Sequence, residues 1–397
     1  MKKKLLYVSN VDLEGGLIPG VVEKIKGQCA AFDRNNIETA VLYPGKEGEI
    51  TIAHADGSKR SYKGARDTGL QQGFLNKLKQ HLSLAWYGSL NFDHCAEDIL
   101  AYGYDAIYLR FYLPGKDLIH FLKKVRQKSP GTLILLEYPT LNVGPLMKTD
   151  KARWISYLIN KPRIKHMNAA ADFIITLTKD KVLFDKPAVF MPNGFEFSAI
   201  KVLGPVQPPD PVVLIGVASD CAHYHGYDKI IKGLGEYYRN NPEQHVEFRI
   251  ISSLIGHNMA ALRKLAEEEQ VQDRVLFCGT RTKAELAGEY QQSHIGIGTL
   301  ALHRIGLMDN YSLKHREYAA FGLTFIMSLG DDAFEDSPFV FTVERDEAPV
   351  DIKRLLDFYQ GIVRKDHNYP EKFRSSMQQK LSWDTQMQQV FSVIHKR

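Results

Sequence analysis

The chain has 397 residues, 44% hydrophobic and 24% charged, the composition of an ordinary soluble globular protein long enough to bury two cores. No stretch approaches about 18 consecutive apolar residues, and the apolar run after Lys2-Lys3-Lys4 is too short for a secretory signal, so the expected location is the cytoplasm. The net charge of +5 divides into 28 Lys and Arg against 20 Asp and Glu over residues 1–200, and 23 against 26 over residues 201–397; the basic half suits an anionic lipid or a phosphorylated acceptor but lacks the dense basic and aromatic interleaving of a nucleic-acid groove, so no nucleic-acid partner is expected.

In chain order, residues 4–9 read as a strand, followed by a glycine loop (Gly15, Gly16, Gly20), a helix over 21–34 and a strand over 38–43. Residues 45–90 are polar, glycine-rich and weakly periodic, and read as an insertion holding one hairpin with strands near 50–53 and 60–62 around Asp56-Gly57. Strands over 105–109, 132–137 and 173–177 then alternate with helices near 93–102, 116–128 and 150–170. Pro205, Pro208, Pro209 and Pro211 suit a stiff linker. Beyond it, strands over 212–217, 246–251, 274–277, 294–298 and 323–327 alternate with helices over 227–239, 258–269, 282–292 and 312–321. Ser382-Trp383-Asp384 opens a terminal amphipathic helix. The alternation predicts an α/β protein of two Rossmann-like domains facing across a cleft, residues 1–200 and 201–381, followed by the terminal helix over 382–397.

The chemistry concentrates around the helix start at Ser312-Leu313-Lys314. Helix-start N–H groups and a lysine suit an anion, and carboxylates such as Asp309 and Glu317 suit hydroxyl donors. The alternative is a solvated helix face bearing Lys314, Arg316 and Glu317. Asp309 stands eight positions before Glu317, and the helix closes at Gly322 before a strand. This segment resembles the nucleotide-binding core of group 1 glycosyltransferases with the GT-B fold, with an aspartate where the family carries the longer first acid and Thr324 in place of the usual proline. Two further segments resemble that family in the same order: Gly279-Thr280-Arg281 after the 274–277 strand, and Pro192-Asn193-Gly194. His225-Gly226-Tyr227-Asp228 and Glu137-Tyr138-Pro139-Thr140 are similar to a polysaccharide-synthesis subgroup.

The resemblance implies that Glu317 holds the ribose, Asp309 the sugar hydroxyls, and Ser312, Leu313, Lys314, Arg281 and His225 the diphosphate. Gly279 and the Gly15-Gly16 loop would approach the donor by backbone, and the terminal helix over 382–397 would cross back to the first domain. Arg110 and Glu137 end successive strands and would meet an acceptor; a structural ion pair is the alternative. The activity so implied is a hexosyltransferase moving sugar from a nucleotide diphosphosugar, UDP-linked, to a glycan or lipid-linked acceptor with retention, Asp309, Lys314 and Glu137 being catalytic. No metal or other cofactor is expected, and the sequence holds no Asp-x-Asp. A sugar-nucleotide epimerase and a catalytically silent subunit supporting a partner transferase remain open.

Cys221, His223 and His225 lack a fourth ligand for a metal site, and Cys29, Cys95, Cys221 and Cys278 form no C-x-x-C pair. The basic amphipathic stretch 148–167, with Trp154, Ile155, Leu158 and Ile159, fits either a helix covering the sheet or one lying peripherally on the inner face of a membrane.

Overall fold

The computed structural model describes residues 2–14, 19–45, 48–66, 74–110, 113–138, 151–198, 200–204, 210–240, 242 and 244–397. Residues Met1–Pro192 and Gln386–Arg397 form one compact unit, Asn193–Thr385 the other.

In the first unit the parallel strands β1 (Lys3–Ser9), β2 (Ile37–Pro44), β5 (Ala106–Arg110), β6 (Leu133–Glu137), β7 (Phe173–Thr176) and β9 (Lys186–Phe190) lie in one sheet with β3 (Glu49–His54), β4 (Lys59–Lys63) and β8 (Val182–Leu183), in the order β4-β3-β2-β1-β5-β6-β7-β9-β8. The central strands read as continuous apolar runs, Leu5-Leu6-Tyr7-Val8 and Ile134-Leu135-Leu136, because helices cover both faces. Those helices are α1 (Pro19–Arg34), α2 (Phe74–Tyr87), α3 (Ala96–Tyr102), α4 (Lys116–Lys128) and α5 (Lys151–Ala170). In α4 the buried residues Leu118, Phe121, Leu122 and Val125 recur at three- and four-residue spacing, the stripe by which a helix docks on a sheet.

The segment expected as an insertion is part of the sheet. Its hairpin continues β2 in antiparallel register (Ala40 opposite His54), and α2, which glycine-rich surroundings hide in the sequence, follows it. The outermost strand β4, Lys59-Arg60-Ser61-Tyr62-Lys63, is almost wholly exposed, and the opposite end of the sheet is closed by the two-residue β8.

The second unit is a six-stranded parallel sheet of β10 (Val212–Val217), β11 (Val246–Ile251), β12 (Val275–Phe277), β13 (Ile295–Ile297), β14 (Phe325–Ser328) and β15 (Val340–Val343), ordered β12-β11-β10-β13-β14-β15. Around it pack α6 (Tyr227–Arg239), α7 (His257–Glu268), α8 (Lys283–Gln291), α9 (Leu313–Phe321), α10 (Ile352–Lys365) and α11 (Tyr369–Gln378). The strand order reverses between β10 and β13, so the loops leaving their C-terminal ends diverge to opposite sides and open a crevice, the ordinary ligand position of such sheets.

The chain crosses between units at Pro192–Asn193, ahead of the expected proline linker. Phe197 and Leu203 pack in the core of the second unit and Leu203 N–H donates to Phe321 O at 2.9 Å, which commits residues 193–204 to it. The expected single terminal helix is two short ones, α12 (Trp383–Gln386) and α13 (Gln388–His395). Within the first unit, Phe391 of α13 meets Phe32 of α1 edge-on at 5.7 Å and His395 Nε2 lies 3.1 Å from Asn35 O. The four cysteines are free thiols, three of them buried.

Candidate functional site

The crevice at the β10/β13 reversal is assembled from two loops that hydrogen-bond to each other. Leu300 N–H donates to His225 O and Ala301 N–H to Tyr224 O, each at 3.1 Å. Gly226 closes the first loop with φ +73° and opens α6; a Cβ there would stand 2.7 Å from Leu300 Cβ. Only glycine accommodates both the left-handed backbone and that approach. Gly226→Ala should cost about 1–3 kcal/mol, read as a lower unfolding midpoint in denaturant.

One residue on, Tyr227 passes over Gly216 of β10, where a Cβ would meet the ring at 2.9 Å, and so delivers its hydroxyl to the sheet's C-terminal edge. Lys314 Nζ lies 3.3 Å from both Tyr227 Oη and His225 Nδ1. Burial holds the Lys314 ammonium down to about 7. Burial, then the neighbouring Lys314 and His223, hold His225 well below its ordinary range. His225 is therefore neutral near pH 7. With Nδ1 accepting from Lys314, its proton sits on Nε2, which lies 4.0 Å from the exposed Asp220 carboxylate.

Lys314 is the second residue of α9, which starts after Ser312; the Ser312 side chain makes no cap and the first turn holds no acidic residue. The first-turn N–H groups, a neutral histidine donor and a titratable cation thus share one loop-and-helix junction. Asn310, buried, pins the approach to this junction by donating to Thr299 O at 2.9 Å, while its N–H donates to Gly330 O at 2.8 Å; partly buried Asp309 precedes it. Glu317, three residues after Lys314, receives the Tyr290 hydroxyl at 3.1 Å, which fixes the carboxylate.

The solvated-face alternative fails for this helix. Lys314, His315 and Arg316 are all buried. Arg316 spans Asp331 (Nη2 to Oδ1 3.1 Å, with a second, shorter contact from Nη1 to Oδ2) and donates from Nε to Asn193 O at 2.8 Å. Burial alone would raise the Asp331 carboxyl, but Arg316, followed by His315, brings it below the usual range. His315 Nε2 accepts from Thr299 N–H at 3.2 Å, and burial lowers its pKa to about 4. Nothing in the local pattern marks Arg316 and His315 as buried, since their partners Asp331 and Thr299 come from other loops.

Gly279 follows β12 with φ +73°. Arg281, expected to add charge for the donor, is committed elsewhere: Nε pairs with Glu289 Oε1 at 2.8 Å and Nη1 donates to Cys278 O. That leaves Lys314 as the buried cation at the junction. Asp228, two residues after Gly226, is engaged bidentately by Arg304 at 2.8 and 2.9 Å, and Arg304 also holds Glu347, so this acid braces the loop. Among the described residues, no three His, Cys, Asp or Glu side chains gather as a metal-binding group.

In the first unit Glu137 and Arg110 end adjacent strands, paired in register. Glu137 is 2% exposed and both its oxygens are engaged: Lys24 Nζ at 2.6 Å on Oε1, and Tyr108 Oη at 2.8 Å with Gln28 Nε2 at 3.3 Å on Oε2. Burial opposes its charge, but Lys24 and then Arg110 hold its pKa below the ordinary carboxylate range. Arg110 lies 3.9 Å from the same carboxylate, and its Nε has no hydrogen-bond partner. The ion pair is thus present, with Lys24, from α1, as the closer cation. Gly15 and Gly16 lie outside the described residues, as do Pro139 and Thr140.

No protein-family model matches the chain, and no curated protein matches it in sequence. Its fold is shared with solved structures across essentially the whole length. A sucrose-phosphate synthase from Thermosynechococcus elongatus superposes with a TM-score of 0.66 at 13% identity, covering 99% of this chain and 98% of that one. A UDP-forming alpha,alpha-trehalose-phosphate synthase from Burkholderia vietnamiensis gives 0.59 at 12%, with 100% of each chain covered. A lipopolysaccharide outer core galactosyltransferase gives 0.56 at 9%, again with 100% of each. The fold is that of the GT-B glycosyltransferases.

Proposed function

We propose that this protein is a glycosyltransferase that moves a hexosyl group from a UDP-linked sugar to a glycan or lipid-linked acceptor, with retention and without a metal. The observation that carries the reading is the Lys314–His225–Tyr227 cluster at the uncapped start of α9, on the reversal point of the second sheet. Lys314, His225 Nε2–H and the first-turn N–H groups stabilise the diphosphate as it leaves, taking the place a metal holds in other transferases. Glu317, steadied by Tyr290, accepts from the ribose hydroxyls and Asp309 from the sugar hydroxyls. The acceptor oxygen bonds to the anomeric carbon as the bond to the phosphate oxygen breaks, and the acceptor proton passes to the departing phosphate.

We place the acceptor on the first unit, at the ends of β5 and β6. There Arg110 offers its charge to the acceptor, and Glu137, closed in by Lys24 and Tyr108, serves to orient Arg110. The UDP-forming relative supports the choice of base.

Titration calorimetry with UDP in chelator should show binding; an absolute requirement for magnesium or manganese would overturn the metal-free assignment. Glu317→Ala should weaken UDP binding about 10- to 150-fold, the cost of losing hydrogen bonds to a charged acceptor. Asp309→Ala should leave UDP affinity near wild type and depress transfer. Unchanged affinity and transfer in both variants would remove the site. UDP binding with no turnover on any nucleotide sugar and acceptor would favour the silent subunit, and sugar interconversion without an acceptor would favour the epimerase.

A further inference from the structure

We propose that the paired helices α2 and α5 form a docking face for the surface of an anionic lipid bilayer. The inference goes beyond the transferase reading and does not rest on it. Five of the eleven exposed large hydrophobic residues among those described lie on these two helices: Leu82, Trp86 and Tyr87 on α2, Ile155 and Leu158 on α5, each between 41% and 49% exposed. The helices are held as one body. Asn160 Nδ2 donates to Ala85 O at 2.7 Å, and the Arg163 guanidinium lies over the Trp86 ring at 4.4 Å. A clustered exposed apolar surface of this kind marks an interaction site.

Charge selects the occupant. The 14 residues of α2 and the 20 of α5 contain seven Lys and Arg and no Asp or Glu, in a protein where acids nearly equal bases overall. Exposed Lys161 and Lys165 and the half-buried Arg163 follow the Ile155–Leu158 stripe directly. Protein interfaces deplete lysine at their centres. Apolar side chains among lysines with no acid are instead the pattern of a helix lying in the interfacial plane, where aliphatic and aromatic groups enter the acyl boundary and cations stay with the headgroups. Trp154, which the membrane alternative for this stretch would set against the bilayer, is half-buried and stacks on Tyr157 at 5.3 Å; the exposed tryptophan is Trp86, on the other helix. No helix among the described residues is long and apolar enough to cross a membrane, so the contact is peripheral in kind.

The test is sedimentation of the whole protein with vesicles of phosphatidylcholine alone and of equal parts phosphatidylcholine and phosphatidylglycerol, at low and high salt. Binding to the anionic vesicles should exceed binding to the neutral ones at least about tenfold at low salt, from several cations near the surface. The double variant Lys161→Gln, Lys165→Gln should lose about 30-fold of it, roughly fivefold for each lysine. Trp86→Ala with Leu158→Ala should release the part that survives high salt. Unfolding midpoints equal to wild type show that both variants keep the fold. Equal binding of the wild type to neutral and anionic vesicles at low salt overturns the proposal. So does a Trp86→Ala, Leu158→Ala variant that turns a dimer into a monomer in ultracentrifugation without changing vesicle binding, since the face then belongs to a second copy of the chain.

Discussion

Lys314→Met should lower sugar transfer about 10²- to 10³-fold, the usual consequence of removing one preorganised stabiliser of developing negative charge, and at the same time make the protein more stable. The two effects share a cause. Burial lowers the Lys314 ammonium from its ordinary 10.5 to about 7, and the side chains at hydrogen-bonding distance from it are the neutral His225 and Tyr227. Below pH 7 both folded and unfolded chains carry the proton, and the folded state bears the full cost of the buried charge. From pH 7 to 10.5 the unfolded chain alone retains it, so wild-type stability rises with pH and the methionine variant's advantage fades. That advantage, on the order of 5 kcal/mol below pH 7, is measurable by denaturant unfolding at several pH values. Binding of a diphosphate should raise the lysine's pKa again. Affinity of the wild type for a UDP-sugar, which has no phosphate ionisation in this range, should therefore fall as pH rises above 7, with proton uptake in calorimetry, and the variant should show no such slope. A pH-independent wild-type affinity would place the diphosphate elsewhere.

Asp331→Ala should destabilise the second unit by about 3–5 kcal/mol, because it leaves Arg316 buried without its counter-ion. Removing both charges, Arg316→Met with Asp331→Leu, should recover most of the loss, as apolar replacements of buried pairs commonly do. Since Arg316 brings the Asp331 carboxyl below the usual range, the pair's contribution is present at neutral pH and lost as acid protonates the carboxylate. Chemical denaturation of the three variants at neutral and acidic pH checks the set. A small loss from the single substitution would mean that water reaches Arg316.

Most strand and helix positions follow from the sequence because central strands such as Leu5-Leu6-Tyr7-Val8 are apolar runs and covering helices such as α4 repeat their apolar residues at helical spacing, whereas β15, α10 and α11 fall in a stretch where no element is predicted from the sequence. The candidate site residues on α9 are legible for a different reason. The helix-start serine, the cation and the carboxylate fall within six positions, Ser312 to Glu317, so a local window contains them. What that window omits is the support: Tyr227 lies 87 residues before Lys314, Tyr290 lies 27 before Glu317, and Asp331 lies 15 after Arg316. Glu137 shows the same limit. Its neighbour on the adjacent strand, Arg110, is readable as a pair, but its closer partner Lys24 comes from a helix near the other end of the unit's sequence, and only packing brings the two together. Burial of polar side chains is a property of such distant pairings, which explains why the sequence leaves a solvated face open for α9 while the structure makes it an interior helix.

The outermost strand of the first sheet has a consequence for life at high concentration. β4 ends the sheet with three cations in five residues, and β8 ends the other side with two residues, too few to guide a partner. In the second unit the outer strands have three and four residues. An incoming copy thus meets electrostatic repulsion at one border and almost no unpaired backbone at the others, so neither sheet offers the template from which strand-by-strand fibril growth starts. The Lys- and Arg-rich hairpin is then a guard against polymerisation, whatever else the segment does, and exchanging its cations for valine or isoleucine would open the one border long enough to recruit a neighbour.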